Sequence, residues 1–391
     1  MNGSERKRLR TGWVVTAAGF GINVLVGISY TWSLFSQALV HQYGWLHSTA
    51  AAPYSMYLFT YALSMIPAGH LQDRFGPRGV VLLGATLASA GFVLSGILMT
   101  TPAVVVLWGT LVGSGMACCF AAVTPAAMSW FPDARRGLVS GIVVTGVGVS
   151  AWALAPVVTE LLARSVSAAL VGCGLFILVG VGTLSRLMRA ATPLTIKVTT
   201  HHTLRSLFGS ALFRRLWLAF FCTTAAGVTV VSHVAELTRV HAGSARPYIA
   251  VGVFAMCNAA GRLIGGLLSD RLGRIRSIQV VFLGILAALI FMTLSPNELL
   301  MNGAVALLGL CYGGIFGVFP AATVALFGPS DFGFKYGVVF SAIAVSGIIP
   351  SLAGVVFERY GSFHPTLMLL MALCVAGLGL TTGLERGHPV P

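Results

Sequence analysis

Residues 66–78 read Ile-Pro-Ala-Gly-His-Leu-Gln-Asp-Arg-Phe-Gly-Pro-Arg, and residues 263–275 read Leu-Ile-Gly-Gly-Leu-Leu-Ser-Asp-Arg-Leu-Gly-Arg-Ile. Both segments contain the pattern Gly-x-x-x-Asp-Arg-x-Gly, at the end of an apolar stretch and the start of a basic loop. The matched positions are Gly69 and Gly266, Asp73 and Asp270, Arg74 and Arg271, and Gly76 and Gly273. A second match pairs Arg136-Gly137 with Tyr336-Gly337. The chain is therefore an internal duplication.

The composition indicates an integral membrane protein. Apolar residues make up 57% of the 391-residue chain and charged residues only 9%, whereas a soluble globular protein carries roughly 25% charged residues. We predict an all-α fold with twelve membrane-spanning segments, each long enough to cross a bilayer. These segments, named spans 1 to 12, are 12–37, 48–70, 79–100, 102–129, 137–160, 168–188, 214–237, 246–269, 276–295, 299–327, 336–357 and 363–384.

The duplication divides the twelve spans into two pseudo-symmetric six-helix bundles. We place the N-terminal bundle at 1–190, a cytoplasmic linker at 191–213 and the C-terminal bundle at 214–391. The net charge of +14 does not indicate nucleic-acid binding, because most Lys and Arg residues fall on segments predicted to be cytoplasmic. We therefore expect a multi-pass protein with both termini in the cytoplasm. The compact loops suggest a protein of the cell (inner) membrane, which we expect to work as a monomer.

Enzymatic activity is not indicated. The seven cysteines all lie inside apolar segments and form no Cys-x-x-Cys pattern, which is typical of buried small residues. Neither a phosphate-binding loop nor a zinc-protease motif is present in the sequence. We predict no cofactor and no metal ion.

The repeated Gly-x-x-x-Asp-Arg-x-Gly pattern resembles the major facilitator superfamily, whose members are transporters. Asp73 and Asp270 end spans 2 and 8, where the helix dipole disfavours a carboxylate, so each requires a partner. We expect the start of span 11 for Asp73, and the start of span 5 with Arg135 or Arg136 for Asp270. Such contacts predict a cytoplasmic gate; the alternative is a static anchor. The candidate gating residues are Asp73, Arg74, Asp270, Arg271 and Arg136.

Arg262 is the most informative single residue. It lies in the apolar segment 248–268. The next acid toward the C-terminus, Asp270, is about 12 Å further along a helix. A guanidinium near the middle of a bilayer is costly and is normally kept where it faces a cavity and has a function. The alternatives are a side chain that extends to the interface or pairs with an acid distant in sequence.

A narrower resemblance connects the chain to the oxalate:formate antiporter family and the monocarboxylate transporters. It rests on Tyr30-Thr31-Trp32-Ser33-Leu34-Phe35, Trp130-Phe131-Pro132, Asn258-x-x-Gly261-Arg262 and Tyr312-Gly313-Gly314. The resemblance implies transport of a small organic anion whose carboxylate binds Arg262, with Tyr312 in the pocket. Tyr312 is otherwise a packing residue. Asn258 lies one turn before Arg262 on the same face and is placed to donate to a substrate oxygen. We further expect Tyr30, Tyr57 and Phe120 to line the cavity.

Three positions depart from the pattern of these relatives. The oxalate-transporting branch has a lysine about where Ile343 stands, and a dicarboxylate requires two cations. The animal monocarboxylate carriers have an aspartate where Asn258 stands, and it takes part in proton coupling. A frequent tyrosine is replaced by Phe120. These differences favour a monocarboxylate and move proton coupling to another group.

Three residues near the outer end are candidates for proton coupling, because histidine titrates in the useful range. His364 opens span 12 and is also a candidate substrate residue by the resemblance. His233 and Glu236 share a helix face; His233 is otherwise an interface histidine. The substrate can also carry its own proton. The sequence thus predicts a proton-coupled carrier of lactate or pyruvate type by alternating access, with an anion exchanger of the oxalate/formate type and a non-transporting sensor as alternatives.

Overall fold

The computed structural model describes residues 3–191, 203–243, 248–295 and 297–384. Within these ranges every regular element is helical, which confirms the predicted all-α class. Eleven helices of the described chain are long and apolar enough to cross a membrane. One of them, Ala52–Leu98, has 47 residues and covers most of spans 2 and 3, which are separated at Gly76. Residues 192–202 of the predicted linker and the C-terminal residues from 385 lie outside the described residues.

The helices follow the predicted spans, with extensions at several ends. The first seven are α1 (Gly3–Val26), α2 (Trp32–Tyr43), α3 (His47–Leu98), α4 (Thr101–Ala103), α5 (Gly113–Met128), α6 (Asp133–Arg164) and α7 (Val166–Ser185). The others are α8 (Leu204–Gly209), α9 (Ala211–Ala242), α10 (Tyr248–Leu272), α11 (Arg274–Leu294), α12 (Glu298–Phe327), α13 (Phe332–Phe340), α14 (Ala342–Ser346), α15 (Ile348–Tyr360) and α16 (His364–Thr382). A 3₁₀ segment, Gly27–Thr31, joins α1 to α2, and a π-helical segment, Val104–Val112, joins α4 to α5.

The chain forms two compact units, and each unit includes a short piece from the opposite half of the sequence. Unit 1 comprises Met1–Pro132, Ile142–Thr199 and Ser330–Gly337, and unit 2 comprises Asp133–Gly141, Thr200–Pro329 and Val338–Pro391. The start of α6 therefore belongs to unit 2, and the start of α13 to unit 1. The bundle boundaries predicted at residues 190 and 214 stay a prediction.

Paired glycines explain why the start of α6 belongs to unit 2 and the start of α13 to unit 1. In unit 2, a Cβ on Gly266 would overlap the carbonyl oxygen of Gly137, and a Cβ on Gly137 would overlap that of Gly266. In unit 1, Gly69 and Gly333 exclude side chains from each other in the same way. The first glycine of the repeated motif is thus a point of backbone contact. This requirement holds in both repeats.

The last glycine of the motif makes a turn. Gly76 has φ 77° and ψ 170°, and Gly273 has φ 87° and ψ 161°. Residues with a Cβ atom rarely adopt a positive φ, whereas glycine adopts it without steric cost. Both repeats therefore leave the Asp-Arg pair and enter the next helix through the same backbone conformation.

Close packing between α10 and α12 holds the segment that contains Arg262. A Cβ on Gly261 would overlap the carbonyl oxygen of Leu310, and a Cβ on Gly313 would overlap that of Asn258. Small residues allow helix backbones to approach in membranes, where packing provides the attraction. The position of α10 in unit 2 is consequently fixed by backbone contact on this face.

We expect Gly261→Leu to lower the stability of the folded protein by about 1–3 kcal/mol, because the added side chain overpacks a backbone contact. The matched control is Gly252→Leu, on the same helix, since a Cβ there meets nothing within 4 Å. Thermal unfolding of the purified protein in detergent measures both. Equal melting temperatures for the two variants would contradict the packing described here.

Candidate functional site

Arg262 is buried inside unit 2, on α10. Only 4% of its surface is exposed. Its Nε donates a hydrogen bond to Oδ1 of Asn258 at 3.3 Å, and its Cζ lies 4.9 Å from the centroid of the Phe316 ring. A guanidinium over an aromatic face is stabilised by the ring quadrupole, and more strongly when water is excluded. The Arg262 side chain is thus held inside unit 2 by the amide of Asn258, one turn earlier on α10, and by the Phe316 ring from α12.

The side-chain amide of Asn258 carries a donor that no described residue satisfies. It is 9% exposed, and its Oδ1 accepts the bond from Arg262. Among the described residues its Nδ2 has no hydrogen-bond partner. A buried donor left unsatisfied costs about 1–3 kcal/mol, and such groups in native structures require an explanation. Beside a buried guanidinium, an open N–H donor is chemically suited to a ligand oxygen.

Aromatic side chains of α12 complete this part of unit 2. The Tyr312 ring lies 5.4 Å from that of Phe316 and 6.2 Å from that of Phe254. A Cβ on Gly227 of α9 would overlap the Tyr312 ring, so this glycine sets how closely the tyrosine packs. Phe316 was not identified from the sequence. Its spacing of one helical turn after Tyr312 is the signal that points to it.

The predicted cavity residues of the first half of the chain lie in unit 1. Tyr57 is buried, its hydroxyl accepts a hydrogen bond from Ser29 at 2.9 Å, and its ring stacks between Tyr54 and Tyr61. Phe120 is buried and lies 6.2 Å from the Tyr61 ring, whereas Tyr30 is 49% exposed. Tyr57 and Phe120 thus belong to one aromatic row along α3 and α5. Ser29, which orients Tyr57, was not identified from the sequence.

The three proton-coupling candidates are in different surroundings within unit 2. The rings of His364 and His241 lie 4.6 Å apart, and Nδ1 of His233 lies 3.1 Å from the carbonyl oxygen of Thr229. Glu236 forms an ion pair with Arg239 at 3.1 Å, so the partner of its carboxylate is Arg239 and not His233. Their roles stay predictions.

Each motif aspartate accepts two backbone hydrogen bonds at the start of another helix. Asp73 accepts from the N–H groups of Gly333 at 3.0 Å and Phe334 at 2.8 Å, both in unit 1. In unit 2, Asp270 accepts from Gly137 at 2.9 Å and from Leu138 at 2.6 Å. Gly333 and Phe334 are the second and third residues of α13, where the N–H groups have no partner within the helix. Gly137 and Leu138 are the fifth and sixth residues of α6, near the positive end of the helix dipole, which favours a carboxylate.

The arginine beside Asp270 is Arg274, not Arg135 or Arg136. Its Nη1 lies 2.5 Å from Oδ1 of Asp270, and its Nη2 donates to the carbonyl oxygen of Asp133. Arg136 instead forms an ion pair with Asp133, three residues earlier. The spacing of one helical turn between Asp270 and Arg274 is the sequence signal that points to this pair, and it was not recognised from the sequence. The first repeat has Pro77 at the corresponding position, so the Asp73 contact has no equivalent arginine.

The other two motif arginines are exposed. The Cζ of Arg74 lies 5.5 Å from the ring of Phe75, next to it in the chain, and Arg271 lies in the last turn of α10. Their gating role stays a prediction. The described geometry brings Asp73, Asp270 and Arg274 to helix starts and leaves these two at the surface.

Comparisons with known proteins agree with this architecture. The family model described as Major Facilitator Superfamily matches residues 17–350. The oxalate:formate antiporter of Oxalobacter formigenes is 25% identical, over 94% of this chain and 90% of that protein. Monocarboxylate transporter 11 of Mus musculus is 28% identical, over 97% and 88%. The solved structure of the fucose:proton symporter of Escherichia coli has a TM-score of 0.75 at 16% identity, covering 95% of this chain and 98% of that one, and shows the fold alone.

We expect Arg274→Gln to lower the stability by about 2 kcal/mol, because a charge-assisted bond to a largely buried carboxylate is removed. The control is Arg276→Gln, two residues later on α11 and exposed, which loses the same charge. Thermal unfolding across a salt series reports both variants. A loss of stability that is equal in the two would contradict the role given to Arg274.

Proposed function

Because the chain belongs to the Major Facilitator Superfamily and is a multi-pass membrane transporter rather than an enzyme, we propose that its substrate is a small monocarboxylate of the lactate or pyruvate type. Transport proceeds by alternating access and is coupled to protons. The protein resides in the cell membrane of a prokaryote, with its termini in the cytoplasm.

The observation that carries this proposal is the pair formed by Arg262 and Asn258. Arg262 is buried and near the middle of a span, and a guanidinium offers a planar fork that matches a carboxylate. Asn258 presents Nδ2 with no hydrogen-bond partner among the described residues. A 2-oxo or 2-hydroxy acid supplies both groups, because its carboxylate suits Arg262 and its second oxygen accepts from Asn258.

The number of cations supports one carboxylate rather than two. Arg262 is the basic residue that the sequence places near the middle of a span, and Ile343 stands where the oxalate-transporting branch resembled by this chain has a lysine. Both relatives reported above are named for small carboxylates. An exchanger of the oxalate/formate type is the second candidate, favoured by the similarity to the oxalate:formate antiporter over nearly the whole chain.

Proton coupling in this proposal does not require a titrating group beside Arg262. Asn258 cannot titrate, and the acids of the chain lie near the ends of the predicted spans or in loops. Either the substrate crosses with its own proton, or one of His364, His233 and Glu236 carries it. Substitution of each in turn separates these routes, because only loss of a proton carrier abolishes gradient-driven uptake while leaving exchange intact.

We expect Arg262→Lys to abolish most uptake of labelled lactate and pyruvate into proteoliposomes under an inward proton gradient, because an ammonium cannot form the bidentate contact. Arg205→Lys, on the exposed helix α8, is the control. Undiminished uptake by Arg262→Lys would refute the role of Arg262. Uptake that requires preloaded formate or oxalate would support the exchanger. A chain that binds but never moves substrate would be the sensor.

Asn258→Leu tests the second contact, since leucine has a similar size but no donor. We expect its uptake of pyruvate and lactate to fall about 10-fold relative to its uptake of propionate, which lacks the second oxygen. Competition among the three acids in one proteoliposome assay measures the ratio. A uniform loss for all three acids would show that Asn258 only supports Arg262.

A further inference from the structure

A groove with a charged end and an apolar floor lies between α3 and α7, both in unit 1. Its volume is about 390 Å³. Arg78 and Leu82 line it from α3, and Leu178, Val179, Gly182 and Arg186 line it from α7 and the residue after it. Nothing in the proposed transport function uses this groove.

The two arginines give the groove an uncompensated positive charge. Both are exposed, and neither forms an ion pair or side-chain hydrogen bond within the described part of the chain. The sequence has no Asp or Glu between Glu160 and Glu236, so α7 brings no acid. On α3 the nearest acid is Asp73, whose oxygens accept from the N–H groups of α13.

The floor of the groove is apolar and open. Val179 is 68% exposed and Leu82 and Leu178 are each more than one-third exposed. A Cβ on Gly182 would meet nothing within 4 Å, so this glycine leaves a gap in the helix surface below the arginines. Thr183 and Ser185 use their hydroxyls on their own helix, bonding the carbonyl oxygens of Val179 and Gly182. The guanidinium groups are therefore the available donors.

We propose that this groove binds one anionic phospholipid, of the phosphatidylglycerol type. Arg78 and Arg186 hold its phosphate, and an acyl chain lies along Leu82, Leu178 and Val179 over Gly182. Two guanidinium groups suit a phosphate because each offers paired N–H donors, and basic pockets between membrane helices bind anionic headgroups. The apolar floor, which continues from the charged end, distinguishes a whole lipid from a free phosphate ion.

The test measures lipid retention by native mass spectrometry of the purified full chain, in micelles with equal phosphatidylglycerol and phosphatidylcholine. We expect the native protein to retain phosphatidylglycerol selectively. We expect each arginine that is removed to lower retention of phosphatidylglycerol about 5-fold. The double variant Arg78→Gln/Arg186→Gln combines the two losses. The control, Arg205→Gln/Arg276→Gln, removes the same charge from exposed positions in unit 2 and retains the lipid.

Gly182→Leu separates a seated lipid from diffuse attraction. The leucine fills the groove without changing the charge, and the space around its Cβ leaves the helix packing intact. We expect it to lose phosphatidylglycerol as the double arginine variant does, at an unchanged melting temperature. Retention by Gly182→Leu, retention by the double variant, or displacement of the lipid by excess inorganic phosphate would each overturn the proposal.

Discussion

The contact between an aspartate at the end of one helix and backbone N–H groups near the start of another organises this protein. Asp270 binds the start of α6, and Asp73 binds the start of α13. A carboxylate at the C-terminal end of its own helix is disfavoured by that dipole, and the second helix supplies the opposite sign of dipole. This is why Asp133–Gly141 and Ser330–Gly337 join units that they do not adjoin in sequence.

The candidate substrate site and the Asp270 contact share one rigid helix. Asp270 lies about two turns after Arg262 on α10, and a Cβ on Gly141 of α6 would press against the carbonyl oxygen of Arg262. The same stretch of α6 therefore donates to Asp270 at one end and packs behind Arg262 at the other. α12 packs against the same stretch of α10, since a Cβ on Gly317 would overlap the same carbonyl oxygen of Arg262. A change in the packing of Asp133–Gly141 against α10 consequently reaches the backbone of Arg262.

The sequence was sufficient for the fold because two strong signals agree, the apolar spans and the duplicated motif. Composition predicted an all-helical membrane protein, and the described helices confirmed that class. The sequence was less informative about partners across helices. Arg274 and Phe316 lie one turn from Asp270 and Tyr312, yet helical spacing alone does not reveal that Arg274 contacts the carbonyl oxygen of Asp133. The pairing of His241 with His364 depends on how α9 meets α16, which no local pattern encodes.

A single difference between the repeats has a consequence for the evolution of the carrier. Gene duplication provides two equal copies of the motif, and a chain with equal copies has no reason to prefer one contact over the other. The pair Pro77 and Arg274 ends that equality, since the second copy has an arginine one turn after its aspartate and the first copy has a proline there. Both contacts are formed together in this structure, so both stabilise the same conformation. The second copy of the motif therefore adds an ion pair to the conformation that both copies stabilise.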